Sequence, residues 1–421
     1  MEFARLRARA FSSPIDPPQS RRFHGGERRL LKRDAVVVTL ETRDGTVGIA
    51  PSGASSSAMR EFFEGATQEA FAELVSDEVA PAIEGLAVDG VEELHAAVEG
   101  LDLPRKVTAE VISGLDIAYH DIRGKHAGEP VYELLRTDLA DDHADAFGSI
   151  PPATTELPLY ASAGMYMEPE EYAAQASTLA EWGFAGYKYR PGIGPERDVE
   201  TIERVSEATG DADVMIDAHT WWKLPEPYAE AERDAIVEAA AEHGAAWLEE
   251  PVEPDDYDGY RELAGRGVPL AGGESEPDPE GLRALAGTGA VDYLQGDVRH
   301  HRGFTGCTSV AADVAGSEVT FVPHHFGTLL GLVANAHLVA ALPKALLLEY
   351  PVFEGDPNID AEPDPGMYPF DFAFDLLEEL PTVEAGTLEV PDGPGLGVAL
   401  DEDVLDGYPF LSGPWTEFEF D

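Results

Sequence analysis

Residues 214–251, VMIDAHTWWKLPEPYAEAERDAIVEAAAEHGAAWLEEP, decide the fold. Val214-Met-Ile-Asp is a short apolar run that stops on a carboxylate, Pro227 to His243 carries a helical pattern, and Ala246-Trp-Leu-Glu-Glu is a second run ending in carboxylates. A strand, a helix and a strand, with polar groups where each strand stops, is the repeat of a parallel sheet with helical crossovers. The same texture extends both ways. Leu157-Pro-Leu-Tyr-Ala and Gly186-Tyr-Lys-Tyr-Arg precede it; Val268-Pro-Leu-Ala, Val291-Asp-Tyr-Leu, Val319-Thr-Phe-Val and Ala345-Leu-Leu-Leu-Glu follow. Helical patterns such as Pro169 to Trp182 and Pro279 to Ala286 fill the gaps, so residues 151–352 read as an α/β barrel of the TIM type. A doubly wound open sheet is the competing architecture, but no Gly-rich phosphate fingerprint follows any of these runs.

Ahead of the barrel, Arg33 to Ala50 reads as a hairpin: Val36, Val38 and Leu40 alternate, and Asp44-Gly45 makes the turn. Helix-like segments follow over Ser57 to Val88, Gly90 to Val98 and Pro104 to Arg123, which makes residues 1–150 a separate α+β domain. Beyond Pro351 the rhythm stops, and the Pro- and Gly-rich segment 353–421 is expected to pack back on the first domain.

The 421 residues carry 81 acidic against 28 basic side chains, a formal charge of −53. Such a surface repels nucleic acid and anionic membrane. Aromatic residues at 9% and recurrent apolar runs speak against disorder. In molar salt the Debye length is about 3 Å, so carboxylate repulsion largely vanishes, and the composition suits a folded protein of a halophile. One cysteine, Cys307, excludes an intrachain disulfide and a cysteine-built zinc site. The Arg-rich start lacks the apolar stretch of a secretory signal, and the expected location is cytoplasmic.

Polar groups recur at the strand ends: Lys188, Asp217, Glu250, Glu274, Asp297, His324 and Glu349. In a barrel such ends converge on one mouth. Asp217, Glu250 and Glu274 come from three consecutive strands, and an oxygen-only set on a rigid frame suits Mg²⁺. Solvated strand-end carboxylates are the alternative for any one of them. Asp297 and His324 end the next two strands, where a carboxylate can orient an imidazole as a general base. His325, His300 and His301 are expected to be bystanders, and His337 a core histidine.

These motifs resemble the enolase superfamily, in its mandelate racemase and muconate lactonizing enzyme-like branch. Ile117-Ala-Tyr-His-Asp-Ile-Arg-Gly-Lys looks like the family's helix ahead of the barrel, and Val214-Met-Ile-Asp-Ala-His, Trp247-Leu-Glu-Glu-Pro, Gly272-Gly-Glu and Leu294-Gln-Gly-Asp look like four successive strand signatures. The resemblance implies a (β/α)7β barrel with a capping domain completed by the C-terminal tail. It implies Mg²⁺ on Asp217, Glu250 and Glu274, an Asp297 and His324 dyad, and Glu349 as a carboxylic acid that hydrogen-bonds the substrate carboxylate. The shared step is removal of a proton α to a carboxylate. The partner is then a small-molecule carboxylate, a sugar acid, and a homo-oligomer is the general expectation.

Two departures bear on the reaction. The family's Lys-x-Lys is here Lys188-Tyr189-Arg190, and arginine stays protonated, so Arg190 is cast as a cation that holds carboxylate. His219 stands two residues after Asp217, on the same strand face, as in certain sugar-acid dehydratases, where a histidine protonates the leaving hydroxyl. The expected activity is therefore dehydration of a sugar acid to a 2-keto-3-deoxy acid. The alternatives are a racemase or epimerase with Lys188 and His324 as opposed bases, and a barrel that binds metal or ligand without turnover. Substrate selection is expected from capping-domain loops at Pro14 to Gly26, with Arg21, Arg22 and His24, and at Pro51 to Ser57.

Overall fold

The computed structural model describes residues 1–55, 67–345 and 347–421. Strands β1 (Phe3–Phe23) and β2 (Gly26–Thr42) form a long antiparallel hairpin, and β3 (Val47–Pro51) pairs with β2 beyond the Asp44-Gly45 turn. Gly45 has φ +90° and Asp44 accepts the Thr46 amide at 3.1 Å, which is the chemistry that such a turn requires. Pro14 to Gly26 is not a loop. It is the far half of the β1 and β2 arm, whose backbone groups are paired because the C-terminal strand Thr416–Phe420 adds to β2 over Gly26 to Leu30. That partner lies almost 400 residues away in sequence, and no local pattern announces it.

The expected helix from Ser57 is described only from residue 67 onward: α1 (Thr67–Leu74), a π-helical turn at Val75–Val79 and α2 (Ala80–Ile83). After α3 (Val91–Glu99), the chain enters α4 (Arg105–Ala127), buried along most of its length. Gly48 of β3 lets that helix approach: a Cβ there would lie 2.1 Å from the Ala118 carbonyl oxygen. Asp121 of α4 accepts the Ile49 and Leu396 amides, both at 2.9 Å, and the Lys125 ammonium at 2.7 Å. One buried carboxylate thus ties the helix, the hairpin and the C-terminal segment together.

Eight strands follow: β4 (Glu156–Met165), β5 (Gly186–Arg190), β6 (Asp213–Asp217), β7 (Trp247–Glu249), β8 (Leu270–Gly272), β9 (Tyr293–Leu294), β10 (Thr320–Phe321) and β11 (Leu348–Pro351). Neighbours pair in parallel from β4 to β10, and β11 returns to pair with β4. No ladder between β10 and β11 is present among the described residues. Helices cross over between the strands, among them Pro169–Trp182, Glu230–Glu242 and Pro279–Ala286. The last starts where local chemistry dictates: Asp278 accepts the Glu280 and Gly281 amides, and Pro279 supplies the first turn. The architecture is a capping domain over a TIM-type barrel. Among the described residues, no helix is long and apolar enough to cross a membrane.

The barrel has its own small core of Tyr160, Met215, Trp247, Ala271 and Val322, separate from the main one. Side chains alternate along a strand, so the residue two places further on repeats the inward face one layer higher. Above Met215 stands Asp217, above Trp247 stands Glu249, and above Val322 stands His324. This layer is polar, and it floors the mouth.

Candidate active site

Lys188 sits at the centre of that layer with no exposed surface. Its ammonium lies 2.6 Å from Glu249 Oε1 and 2.7 Å from Glu349 Oε1. Burial opposes the charged form, but these two carboxylates outweigh it and hold the lysine above its ordinary pKa. So paired, the lysine is favoured as a cation, whereas the racemase alternative requires it as a free amine. Glu349 also departs from expectation. Its Oε2 accepts the Tyr160 hydroxyl at 3.1 Å and the His325 amide at 3.0 Å, and Lys188, His324 and Arg190 keep it ionised against the opposing effect of burial. It is an acceptor locked to Lys188, not a carboxylic acid offering a proton.

The three expected metal-binding carboxylates do not stand alike. Asp217 pairs with His219 Nδ1 and lies 3.3 Å from Arg190 Nε, and its Oδ2 accepts no hydrogen bond. Glu274 lies 2.8 Å from His324 Nε2. Glu250 is turned aside at φ +41°, and both its oxygens are occupied by Ser275, the amide at 3.0 Å and the hydroxyl at 2.7 Å. Strand pairing sets Glu249, not Glu250, directly opposite Asp217. Glu249 escaped the sequence reading, although counting in twos from Trp247 finds it. Its carboxylate also accepts from Trp247 Nε1 at 2.9 Å and Gln295 Nε2 at 2.8 Å. Burial raises it to about 7, with Asp217, Glu349 and Glu274 adding to the rise against the pull of Lys188. Burial and Glu274 raise Glu250 to about 8. Crowded, buried carboxylates of this kind gain from a hard cation.

Asp297 and His324 are bonded. Nδ1 of His324 donates to Asp297 Oδ2 at 3.0 Å, while Asp297 also takes the Arg299 amide at 2.8 Å, the Arg299 guanidinium at 2.5 to 3.1 Å, and Asn335 Nδ2 at 3.2 Å. Neither Arg299 nor Asn335 carries a signal in the sequence; tertiary packing recruits both. Burial would lower the His324 pKa, but Glu274 and Asp297 lift it to about 10. His219 is the reverse: burial lowers it, and the attraction of Asp217 does not restore it, so near neutral pH it is uncharged. Burial thus disfavours the charged form of the expected proton donor on that strand.

Asp297, His300 and His324 carry donor atoms that all lie within 4.8 Å of one another. A mixed nitrogen and oxygen set suits a softer cation than Mg²⁺. Here the Arg299 guanidinium already neutralises Asp297, which disfavours a second cation there. His300, expected as a bystander, lines the cavity and bonds Glu110 of α4 through Nδ1 at 2.6 Å. His301 bonds main-chain groups at Asp297 and Glu276, and His337 bridges the Tyr132 amide and the Leu396 carbonyl, so both are core histidines.

A cavity of about 420 Å³ opens above this layer, and Arg190, His219, Glu274, His300 and His324 line it from the barrel. Its roof is built by Phe23, Arg28 and Arg33 of the β-arm and by Trp415, Phe418 and Phe420 near the C-terminus. Arg21 and Arg22 bind the Met367 carbonyl and the Asp421 carboxylate, away from the cavity. His24 packs against Tyr228. Of the second capping loop, residues 56 and 57 lie outside the described residues.

Comparison with known proteins converges on one family. A model described as "Enolase C-terminal domain-like" matches residues 171–404, and one for the "Mandelate racemase / muconate lactonizing enzyme, N-terminal domain" matches residues 20–136. The chain is similar to a D-galactarolactone cycloisomerase of Agrobacterium fabrum, 32% identical over 72% of this chain and 74% of that protein. It is also similar to a D-xylonate dehydratase of Haloferax volcanii, 28% identical over 70% and 69%. The crystal structure of the 3,6-anhydro-D-galactonate cycloisomerase from Zobellia galactanivorans matches with a TM-score of 0.75 at 26% identity, over 97% of this chain and 99% of that one.

Proposed function

The chain belongs to the mandelate racemase and muconate lactonizing enzyme-like branch of the enolase superfamily, and from that premise we propose that it is an acid-sugar dehydratase. The observation that carries this reading is His324, bonded on one side to Asp297 and facing, with Glu274, into a cavity floored by buried carboxylates.

Asp217, Glu249 and Glu274 would hold Mg²⁺: they offer only oxygen, Asp217 Oδ2 has no hydrogen-bond donor among the described residues, and Glu249 repeats the inward face of Trp247 directly opposite Asp217, whereas Glu250 is turned aside. When bound, the metal would supply Lewis-acid stabilisation of the charge that develops on the substrate carboxylate. Were Glu274 so committed, the His324 imidazole would lose one of the partners that keep it charged and would be a competent base. His324 Nε2 takes the α proton, and Asp297 holds Nδ1–H and stabilises the imidazolium. Arg190, whose Nη1 is buried without an acceptor, donates to the substrate carboxylate, and Lys188 keeps the floor charge in place. The α C–H electron pair then forms the C=C bond, the β C–O bond breaks, and the hydroxyl leaves as water with the proton returned by His324. The enol product becomes the 2-keto-3-deoxy acid. His219, uncharged, serves as an orienting group for Asp217 and substrate rather than as the acid. The acidic surface adds that the enzyme works in concentrated salt.

A cycloisomerase is the second reading, favoured by the two relatives of that name. The same α-proton removal would then expel a ring oxygen in place of a hydroxyl, and a lactone oxygen, leaving as a carboxylate, asks less of an acid. Proton NMR in high-salt D₂O with Mg²⁺, against aldonic, aldaric and uronic acids and their lactones, separates the two. A keto acid formed from an open-chain acid establishes the dehydratase, and consumption of lactones alone establishes the cycloisomerase. Epimer formation without elimination would overturn both.

A further inference from the structure

Basic side chains are scarce in this chain, yet five of them, Arg28, Arg33, Arg190, Lys223 and Arg299, face one cavity. Arg190 rises from the barrel, where it lies 3.3 Å from Asp217. Arg28 and Arg33 descend from β2, and among the described residues no carboxylate lies within 4.0 Å of either. Among the described residues most other basic side chains lie beside an anion, because acidic side chains outnumber basic ones 81 to 28.

What surrounds the two is aromatic. The Arg28 guanidinium lies over Trp415 at 4.5 Å and Phe418 at 5.8 Å, and Arg33 lies 5.0 Å from Trp415, 5.5 Å from Tyr368 and 5.7 Å from Phe326. Ring faces hold a guanidinium in position but accept none of its N–H groups. Among the described residues Arg28 finds the Thr416 hydroxyl at 3.2 Å and the Met165 sulfur at 3.1 Å, and the buried Arg33 Nε has no acceptor. A buried charged donor left unpaired is costly, so the arrangement is favourable only when an acceptor arrives. Burial above all, with a smaller effect of Arg33 and Arg190, also lowers the Arg28 pKa below the ordinary arginine value.

The cavity thus has two poles. On the barrel side Glu274 lines it above the buried Asp217 and Glu249, where a metal and the reacting acid group would sit, with Arg190, Lys223 and Arg299 beside them; on the capping side stand Arg28 and Arg33, with no carboxylate among the lining residues there. The Phe326 ring stands between the two sides, 4.7 Å from the Arg190 guanidinium and 5.7 Å from that of Arg33. We propose that Arg28 and Arg33 form a second acid-binding subsite, and that the substrate is a sugar diacid, or a lactone of one, with a free carboxylate at the end remote from the reacting carbon. A planar guanidinium matches a carboxylate with paired hydrogen bonds, which a hydroxyl cannot return. This rests on the acid-sugar reading above and names its substrate class.

The test compares a six-carbon aldaric acid with the aldonic acid of the same configuration, both at one high salt concentration with Mg²⁺. The expected kcat/KM favours the diacid by roughly 100-fold, and Arg33→Gln cuts that preference by roughly 10- to 100-fold, chiefly through KM. Arg33→Lys keeps the charge and restores part of it. Equal turnover of the two acids, preference for the aldonate, or an Arg33→Gln variant that slows both alike overturns the subsite while leaving the dehydratase reading intact. Should neither acid react or exchange its α proton, the dehydratase reading fails by itself. Calorimetric titration of the diacid then decides the subsite: binding lost in Arg33→Gln supports it, and no binding by the unaltered protein overturns it.

Discussion

Glu249 and Glu250 are chain neighbours with opposite surroundings. Glu249 belongs to the inward layer with Asp217, whereas Glu250 is spent on Ser275. Magnesium titration by calorimetry should therefore show Glu249→Gln weakening the metal by about 100-fold or more, and Glu250→Gln by about 10-fold or less. The reverse order would return Glu250 to the metal. Asp198 offers a residue-scale test away from that centre. Burial raises its pKa to about 6, although the Tyr228 hydroxyl and the Gly192 and Ile193 amides favour its charged form. A carboxyl whose folded pKa exceeds its ordinary 3.8 binds a proton that the unfolded chain releases, so its contribution grows as pH falls through about 6 and is lost as pH rises. Denaturation midpoints taken between pH 4.5 and 7 should flatten in Asp198→Asn. An unchanged slope would assign the effect to other groups.

At the scale of elements, the site depends on how closely β3 approaches α4. Gly48 carries that contact: besides the Ala118 oxygen, a Cβ would meet Ile122 Cγ1 at 2.7 Å. Gly48→Ala forces strand and helix apart and pulls Ile49 from Asp121, so it should cost about 1–3 kcal/mol, read from the denaturant midpoint in high salt. A variant as stable as the parent would mean that the approach is looser than the geometry indicates. The same two elements lead to the roof of the cavity through β2, so the variant should also lower activity toward a bound diacid more than metal affinity.

For the whole molecule, the −53 charge dominates. Many surface ion pairs are solvent-exposed, such as Arg29 with Glu417 at 3.5 Å, and contribute about 0–1 kcal/mol each. They cannot offset the repulsion of the remaining carboxylates, which only salt screens. The melting temperature should rise steadily as KCl increases from 0.1 to several molar, roughly as the Debye length contracts from about 10 Å to below 3 Å. Full stability and activity in dilute buffer would sink the halophilic reading.

The sequence by itself determined the barrel rhythm, because short apolar runs and amphipathic helices carry their periods locally. It likewise determined which strand ends carry Lys188, Asp217, Glu274, Asp297, His324 and Glu349. Only the tertiary structure decided what those groups do to one another. Pairing favours the charged forms of Lys188 and Glu349, and burial disfavours that of His219. Parity along β7, visible once the Trp247 layer is known to face inward, sets Glu249 rather than Glu250 opposite Asp217. The roof of Arg28, Arg33 and Trp415 joins residues from opposite ends of the chain through β2 and the terminal strand, β14 (Thr416–Phe420). Charge, burial and hydrogen bonding depend on neighbours brought from afar, and sequence spacing alone does not contain them.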